Sequence, residues 1–519
     1  MDRNESVKIL QENTGYWDII VIGGGATGLG VAVDAASRGY KTLLLEQHDF
    51  AKATSSRSTK LVHGGVRYLQ QGDVSLVIEA LHERGLLIQN APHLVSNQAF
   101  VVPNYEWWNG PFYGVGLKVY DLLAGKLGLG PSKILSREET LNQIPTLEPQ
   151  GLRGGVIYYD GQFDDSRLAI NLAQTIVDLG GTPINYMKVT GLLKSKDLID
   201  GVVATDMESG ENYEINARVV INATGIFADS IIHMDQEDTP QLVKPAQGVH
   251  IVLDKKFLPG DSAIMVPHTD DGRVLFAVPW HDKVIVGTTD TPMNNAVLEP
   301  HPLKEEIDFI LRHAAKYMSH DPSPGDVLSI FAGLRPLVNS PDTKNTSKIS
   351  RSHHLQISES GLVTIAGGKW TTYRKMAEDT INQAAIVAGL NESDCTTDNL
   401  RIHGWLKNVD RSDHLYVYGS DIVNIRNIIK EQPNLDTPLD ERLPYLKAEV
   451  IWAARNEMAR TVEDVLSRRT RALLLDARAS IDMAPEVAEL MASVLGKDKK
   501  WQSDQVNQYK KLAEGYLLT

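Results

Sequence analysis

The segment "WDIIVIGGGATGLGVAVDAASRGYKTLLLEQ", residues 17–47, restricts this chain more than any other. Ile19 to Ile22 form a short β-branched run that reads as a buried strand. Gly23, Gly25 and Gly28 follow in G-x-G-x-x-G spacing, with Gly30 just beyond. The pattern predicts a helix over Ala26–Arg38, stopped at Gly39, where a left-handed residue can close a helix. "KTLLLE" reads as a second buried strand ending at Glu46, 18 positions after Gly28. Gly23 permits a tight turn, Gly25 lets a pyrophosphate approach the backbone, and Gly28 lets helix and strand pack closely. The helix N-terminus offers free N–H groups and positive potential to phosphates. A carboxylate at Glu46 accepts hydrogen bonds from ribose hydroxyls and repels a 2′-phosphate, which disfavours NADP. The motif alone leaves NAD and FAD open.

At 519 residues the chain has material for two or three domains and a large core. A net charge of −14 argues against general nucleic-acid binding, though it says nothing of a local basic cleft. Cys395 is the only cysteine, so no internal disulfide or cysteine-based metal site exists, and no metal is expected. The first residues lack the apolar core of a signal peptide, and no run of 18 apolar residues suggests a spanning helix.

Three further segments bear on the cofactor. "ATSSRSTKLVHGG", residues 53–65, clusters the hydroxyls of Thr54, Ser55, Ser56, Ser58 and Thr59, which suit phosphates and the polar edges of a flavin. "ARVVINATGIFAD", residues 217–229, reads as a strand running into Ala-Thr-Gly at Thr224 and Gly225. "GLVTIAGGKWTTYRKMAEDTINQAA", residues 361–385, reads as strand, glycine pair, then helix. Gly367 and Gly368 would aim that helix's amides at a gap, where they could stabilise negative charge on the N1–C2=O edge of a reduced flavin.

Taken together, "VIGGGATGLGVAVDAASRG", "ATSSRSTKLVHGGVRYLQ", "INATGIFAD", "FAGLRPL", "AGGKWTTYRKMAE" and "EMARTVEDVLSRRTRALLLDARA" resemble the FAD-dependent glycerol-3-phosphate dehydrogenase family. The resemblance runs from about residue 17 to residue 478. Trp370 departs from it, standing where leucine is common. A long mid-chain insertion of the related oxidases is also missing, which favours a dehydrogenase. The resemblance implies a Rossmann-like FAD-binding domain interleaved with a β-sheet substrate domain, followed by a helical C-terminal domain, an α/β (α+β overall) fold. Its FAD parts would fall at about 1–90, 165–240 and 325–390, its substrate parts at about 91–164 and 241–324, and the C-terminal domain at 391–519.

The resemblance also implies site residues. Gly23, Gly25, Gly28, Glu46, Thr54, Ser55, Ser56, Lys60, His63, Gly64, Val189, Thr224, Gly225, Gly368 and Lys369 would bind FAD. In "KLVHGGVRYLQ", residues 60–70, Gly64 and Gly65 would let the backbone lie against the flavin ring, with His63 on the flavin side. Arg67 and Tyr68 would face the substrate. A phosphate dianion suits arginine's planar fork, and Arg335, Arg351 and Lys369 would join Arg67 around it. Arg335, in Gly-Leu-Arg-Pro, reads as lying on a constrained bend. His250, Arg335 and Lys369 are the expected catalytic residues, with His250 on a strand in reach of the substrate hydroxyl as a base. "DGRVLFAVPWHDKVIVGTTD", residues 271–290, reads as a hairpin turning at Trp280–Lys283, part of a sheet roofing the flavin.

The implied reaction is oxidation of glycerol 3-phosphate to dihydroxyacetone phosphate, with electrons passed to quinone. An oxidase using O2 is the nearest alternative, and a non-catalytic flavin-binding sensor the alternative of another class. Trp107, Trp108, Phe112 and Tyr113, followed by Lys118 and Lys126, suit a membrane interface, so a cytoplasmic protein lying on the inner face of the cell membrane is expected. A homodimer is among the expected partners. In the C-terminal region Thr461 and Asp464 read as a helix start, followed by clustered Arg468, Arg469 and Arg471 from which no chemistry follows.

Overall fold

The computed structural model describes residues 1–65, 74–106, 109–267, 269–270, 272–339 and 353–518, with the side chains of 109–115 and 126 excepted. Arg67, Tyr68, Trp107, Trp108 and Arg351 lie outside the described residues, as do the side chains of Phe112, Tyr113 and Lys126.

Two sheets organise the body. The first runs in the order 353–357, 363–367, 212–222, 17–22, 42–45, 182–184. Its centre is parallel: Ile19 lies beside Val219 on one side and Thr42 on the other, and Ile221 lies beside Val363. Ile19, Ile20 and Val21 are fully buried, because both faces are covered: helices pack on Ile19 and Val21, and an antiparallel layer with Met187, Val202 and Ile215 packs on Ile20. The helix Ala26–Ser37 follows the first strand and ends against Gly39, whose φ is +83°. Its close neighbours are the helices Asp165–Asp178 and Tyr373–Val387. Gly30 explains that packing, since a Cβ there would sit 2.7 Å from the Tyr373 ring.

The second sheet is mostly antiparallel. Its path takes in 291–292, 243–254, 283–287, 275–280, 263–266, 95–104, 154–163 and 61–62. The hairpin 275–287 turns at His281 and Asp282, both at positive φ, as its alternating pattern predicts. The strand Val327–Val338 pairs with Val243–Asp254, with Arg335 opposite Ala246 and Pro336 opposite Pro245. Arg335 is therefore not on a bend. The Leu-Arg-Pro sequence continues as an edge strand, where proline's missing N–H costs the ladder nothing.

Beyond residue 421 the chain is mainly helical, with helices Ile422–Glu431, Lys447–Asn456, Ala477–Leu495 and Lys499–Glu514. Their core, which includes Val465, Leu473, Met483 and Tyr509, is shared with Val252, Trp280, Ile285 and Phe331 of the antiparallel sheet. Thr461 and Asp464 cap each other: Thr461 Oγ1 accepts from the Asp464 N–H at 3.2 Å, and the Asp464 carboxylate accepts from the Thr461 N–H at 3.0 Å. The turn they start, Asp464–Arg469, is a π-helix.

Candidate active site

The glycine turn forms one wall of a cavity of about 420 Å³. Gly23 has φ +108°, in the region that favours glycine. A Cβ at Gly28 would meet the Gly23 carbonyl oxygen at 1.9 Å, so helix and turn close only through glycine. Gly25, the helix N-cap, has no side chain to cap the helix, and Ser55 Oγ accepts from the Ala26 N–H at 2.9 Å. Glu46 spans the turn, accepting from the Gly24 N–H at 2.7 Å and the His48 N–H at 2.8 Å. Burial pushes its carboxyl above the usual range, and the two backbone donors oppose that. Each oxygen keeps a second lone pair for a ribose hydroxyl.

Val189, Thr224 and Gly225 line the same cavity, as do Gly367, Gly368, Lys369 and Trp370. Thr224 is anchored by donating to Asn222 Oδ1 at 2.7 Å. Thr54 and Ser55 also line this cavity. Thr54 Oγ1 donates to the Leu334 carbonyl at 2.7 Å, and Trp370 Nε1 donates to the Ser55 carbonyl at 2.9 Å. Trp370, which departs from the family pattern, thus ties the second glycine turn to the hydroxyl segment.

A second cavity, of about 210 Å³, shares Thr54, Pro336 and Gly367–Trp370 with the first. His63, His250 and Arg335 line it, with Arg57 and Thr59. Arg335 donates to Asp290 Oδ1 at 3.1 Å, the Thr289 carbonyl at 3.0 Å, Thr288 Oγ1 at 3.2 Å and the Gln247 carbonyl at 3.4 Å. Gly248 makes room for it, since a Cβ there would lie 2.4 Å from the guanidinium. His250 stacks on Phe331, with ring centres 4.9 Å apart, and shares a hydrogen bond with Thr59 Oγ1 at 2.9 Å through Nε2. Burial, then the charges of Lys60 and Arg335, hold its imidazole well below the usual range, so it is neutral.

Four expected cofactor contacts line neither cavity, among them Gly28, which only closes the helix onto the turn. Ser56 and Lys60 line neither cavity. The Lys60 ammonium turns inward to Asp165 Oδ2 at 2.6 Å and the Ser56 carbonyl at 2.7 Å. Burial brings its pKa down to about 7 against the pull of Asp165. Gly64 also lines neither cavity. Its N–H donates to Tyr120 Oη at 2.9 Å, and a Cβ there would lie 2.5 Å from Leu81 and Tyr120, so packing explains that glycine. Arg57 carries no role expected from the sequence, and Thr59 only its place among the hydroxyls suited to phosphates and a flavin edge. Both stand in the hydroxyl-rich segment, which was the signal available.

Two joined cavities, the larger lined by two glycine turns and the smaller by cationic side chains on an antiparallel sheet, fit a long dinucleotide whose reactive ring ends beside a small anionic substrate. That is the arrangement of an FAD-dependent oxidoreductase, and the family model described as FAD dependent oxidoreductase matches residues 18–374. A second family model, the C-terminal domain of alpha-glycerophosphate oxidase, matches residues 362–502. The mitochondrial glycerol-3-phosphate dehydrogenase of Macaca fascicularis is 41% identical over 98% of this chain and 74% of its own length. That of Schizosaccharomyces pombe is 38% identical over 94% of this chain and 85% of its own. The crystal structure of a Bacillus halodurans glycerol-3-phosphate dehydrogenase complexed with FAD superposes with a TM-score of 0.81 at 29% identity, covering 99% of this chain and 97% of that one. The chain belongs to the FAD-dependent glycerol-3-phosphate dehydrogenase family. Its cofactor is FAD.

Proposed function

We propose that the protein oxidises sn-glycerol 3-phosphate at C2 to dihydroxyacetone phosphate and hands the electrons to a membrane quinone. The observation that carries this reading is the shared Gly367–Trp370 turn, which makes one wall of the nucleotide cavity and of the chamber holding Arg335 and His250. FAD, when bound, supplies the hydride acceptor. Arg335, with its position fixed by Asp290, and Lys369 bind the phosphate dianion, joined by Arg67, Tyr68 and Arg351. The neutral His250 takes the hydroxyl proton through Thr59, whose Oγ1 lines the chamber and touches Nε2. Burial, then the charges of Lys60 and Arg335, disfavour its imidazolium.

The two sheets support a division into FAD parts at about 1–90, 165–240 and 325–390 and substrate parts at about 91–164 and 241–324, with 391–519 a helical domain. The third FAD part is corrected at its start, since the strand Val327–Val338 pairs into the substrate sheet. No helix among the described residues is long and apolar enough to cross a membrane. Contact with lipid is supported by an apolar surface on two packed helices, Val74–Asn90 and Asn109–Ala124. Val119 and Leu122 are one turn apart on the second, with Leu122 80% exposed, and Val74 and Ile78 are likewise paired and exposed on the first.

Anaerobic mixing with glycerol 3-phosphate tests the reaction, because bleaching of the flavin band requires turnover at this site. Adding O2 or a quinone next separates the proposed dehydrogenase from the oxidase, a reading favoured by the match to an oxidase C-terminal domain. Rapid reoxidation by O2 with no response to quinone would overturn the acceptor assignment.

A further inference from the structure

The chain 46–57 that lines the nucleotide cavity is held in part from outside the first 390 residues. His48, Ala51, Lys52, Ala53, Thr54 and Ser55 all line the cavity, and Asp49, between them, is fully buried. Asp49 receives two adjacent arginines. Arg468 Nε donates to Oδ2 at 2.5 Å, while Arg469 donates to Oδ2 at 2.5 Å and to Oδ1 at 3.0 Å. Consecutive residues on an ordinary helix diverge by about 100°, and here both lie on the wider turn Asp464–Arg469. Lys52 forms ion pairs with Glu463 and with Glu299, and Glu463 also accepts from Arg468 at 2.7 Å. Arg471 reaches the Ser56 carbonyl at 3.0 Å and Asp165 at 2.9 Å. Positions 49, 52 and 56 are thus each gripped from residues 463–471. The charged groups facing Asp49 hold its carboxylate below the usual range against burial.

We infer that the C-terminal domain is a clamp for the cofactor: Glu463, Arg468, Arg469 and Arg471 are positioning residues that hold the segment 46–57 in the shape the nucleotide requires. None of the four lines the cavity, so they act through Asp49, Lys52 and Ser56. This rests on the assignment of FAD to that cavity. The ion pairs draw their strength from exclusion of water, and the binding free energy they supply is that of pre-ordering a loop which would otherwise be ordered by the ligand.

The test uses the full chain stripped of flavin by acid and refilled. Glu463→Gln and Arg468→Gln are titrated with FAD, and separately with ADP, which presents only the adenosine and pyrophosphate half. The expected result is a Kd about 10-fold or more weaker for both ligands, the effect of losing a charge-assisted hydrogen bond. Protease cleavage within 46–57 should appear in the apo variants but not in the unaltered apoprotein, and should vanish on adding FAD. A lowered thermal midpoint of the apoprotein with FAD and ADP affinities unchanged would overturn the clamp and leave these contacts to stability alone. Glu463 is 21% exposed, so its variant carries the test should Arg468→Gln fail to fold. Failure of the unaltered apoprotein to bind FAD would overturn the cofactor assignment instead, which separates the two readings.

Discussion

Arg335→Gln should remove substrate phosphate recognition while sparing the flavin. The guanidinium is fixed by four acceptors, with Asp290 Oδ1 at 3.1 Å and the Thr289 carbonyl at 3.0 Å the closest. Losing one charge-assisted hydrogen bond to the phosphate costs about 1.5–3 kcal/mol, or about 10–150-fold in kcat/KM. The orphaned Asp290 side chain is 15% exposed, so water partly repays its lost partner and the fold should lose only about 1–2 kcal/mol. Arg335→Lys keeps a positive charge beside Asp290, but an ammonium cannot supply two parallel donors, so activity should return only in part. The assay is anaerobic flavin reduction in a stopped-flow instrument, with glycerol 3-phosphate and plain glycerol compared at equal FAD content. The loss should be much smaller for glycerol, which has no phosphate to lose. An equal proportional loss for the two substrates would show that Arg335 serves the chemistry or the fold, and the phosphate argument would fall.

Gly28→Ala should yield protein without bound FAD, because its Cβ would meet the Gly23 carbonyl oxygen at 1.9 Å; Gly25→Val should do the same by filling the pyrophosphate space, and a yellow, fully loaded preparation of either would refute the turn assignment. His93, held neutral by burial with its pKa lowered to about 3, should cost stability as pH falls below about 6.5, where the unfolded chain binds a proton and the folded one does not. His93→Asn should therefore flatten the fall in urea midpoint between pH 6.5 and 5. His403 runs the other way: hydrogen bonds to Asp178 and Asp421 raise its pKa to about 9 against burial, so its contribution is full below about 6.5 and disappears as pH rises through about 9. His403→Gln should lower the midpoint at pH 6 more than at pH 10. Leu122→Asp with Val119→Asp should reduce sedimentation with anionic vesicles while leaving FAD content and reduction by substrate intact; unchanged sedimentation would move the lipid contact to another surface.

What the sequence reveals here depends on whether the physics is local. The turn at Gly23–Gly28, the stop at Gly39 and the hairpin at His281–Asp282 each follow from a few neighbouring residues, and all three stand in the structure where the pattern places them. The family motifs identified the cofactor and the two cavities' main walls. What failed was side-chain direction. Lys60 sits in the cofactor motif, yet a carboxylate over one hundred positions away, Asp165, draws it into the core. Gly64 looks like a flavin-facing glycine until Leu81 and Tyr120 are seen against it. Arg335 seemed to stand on a bend because Pro336 follows it, but an edge strand accepts proline without bending. The meeting of Arg468 and Arg469 with Asp49 was equally invisible, since more than 400 residues of chain separate them.

The strand that carries Arg335 has a consequence for how the protein is made. Along one edge it pairs with Val243–Asp254, while its Ile330 N–H donates to the Tyr516 carbonyl at 2.9 Å. Tyr516 Oη also donates to Glu299, which grips Arg57 beside the substrate chamber. A nascent chain leaves the ribosome N-terminus first. For the whole time taken to synthesise residues 339 to 515, the strand bearing the phosphate-binding arginine exists without one of its partners, and Phe331 without the helical core that covers it. A chain cut short before Tyr516 therefore leaves the strand that carries Arg335 without this backbone partner.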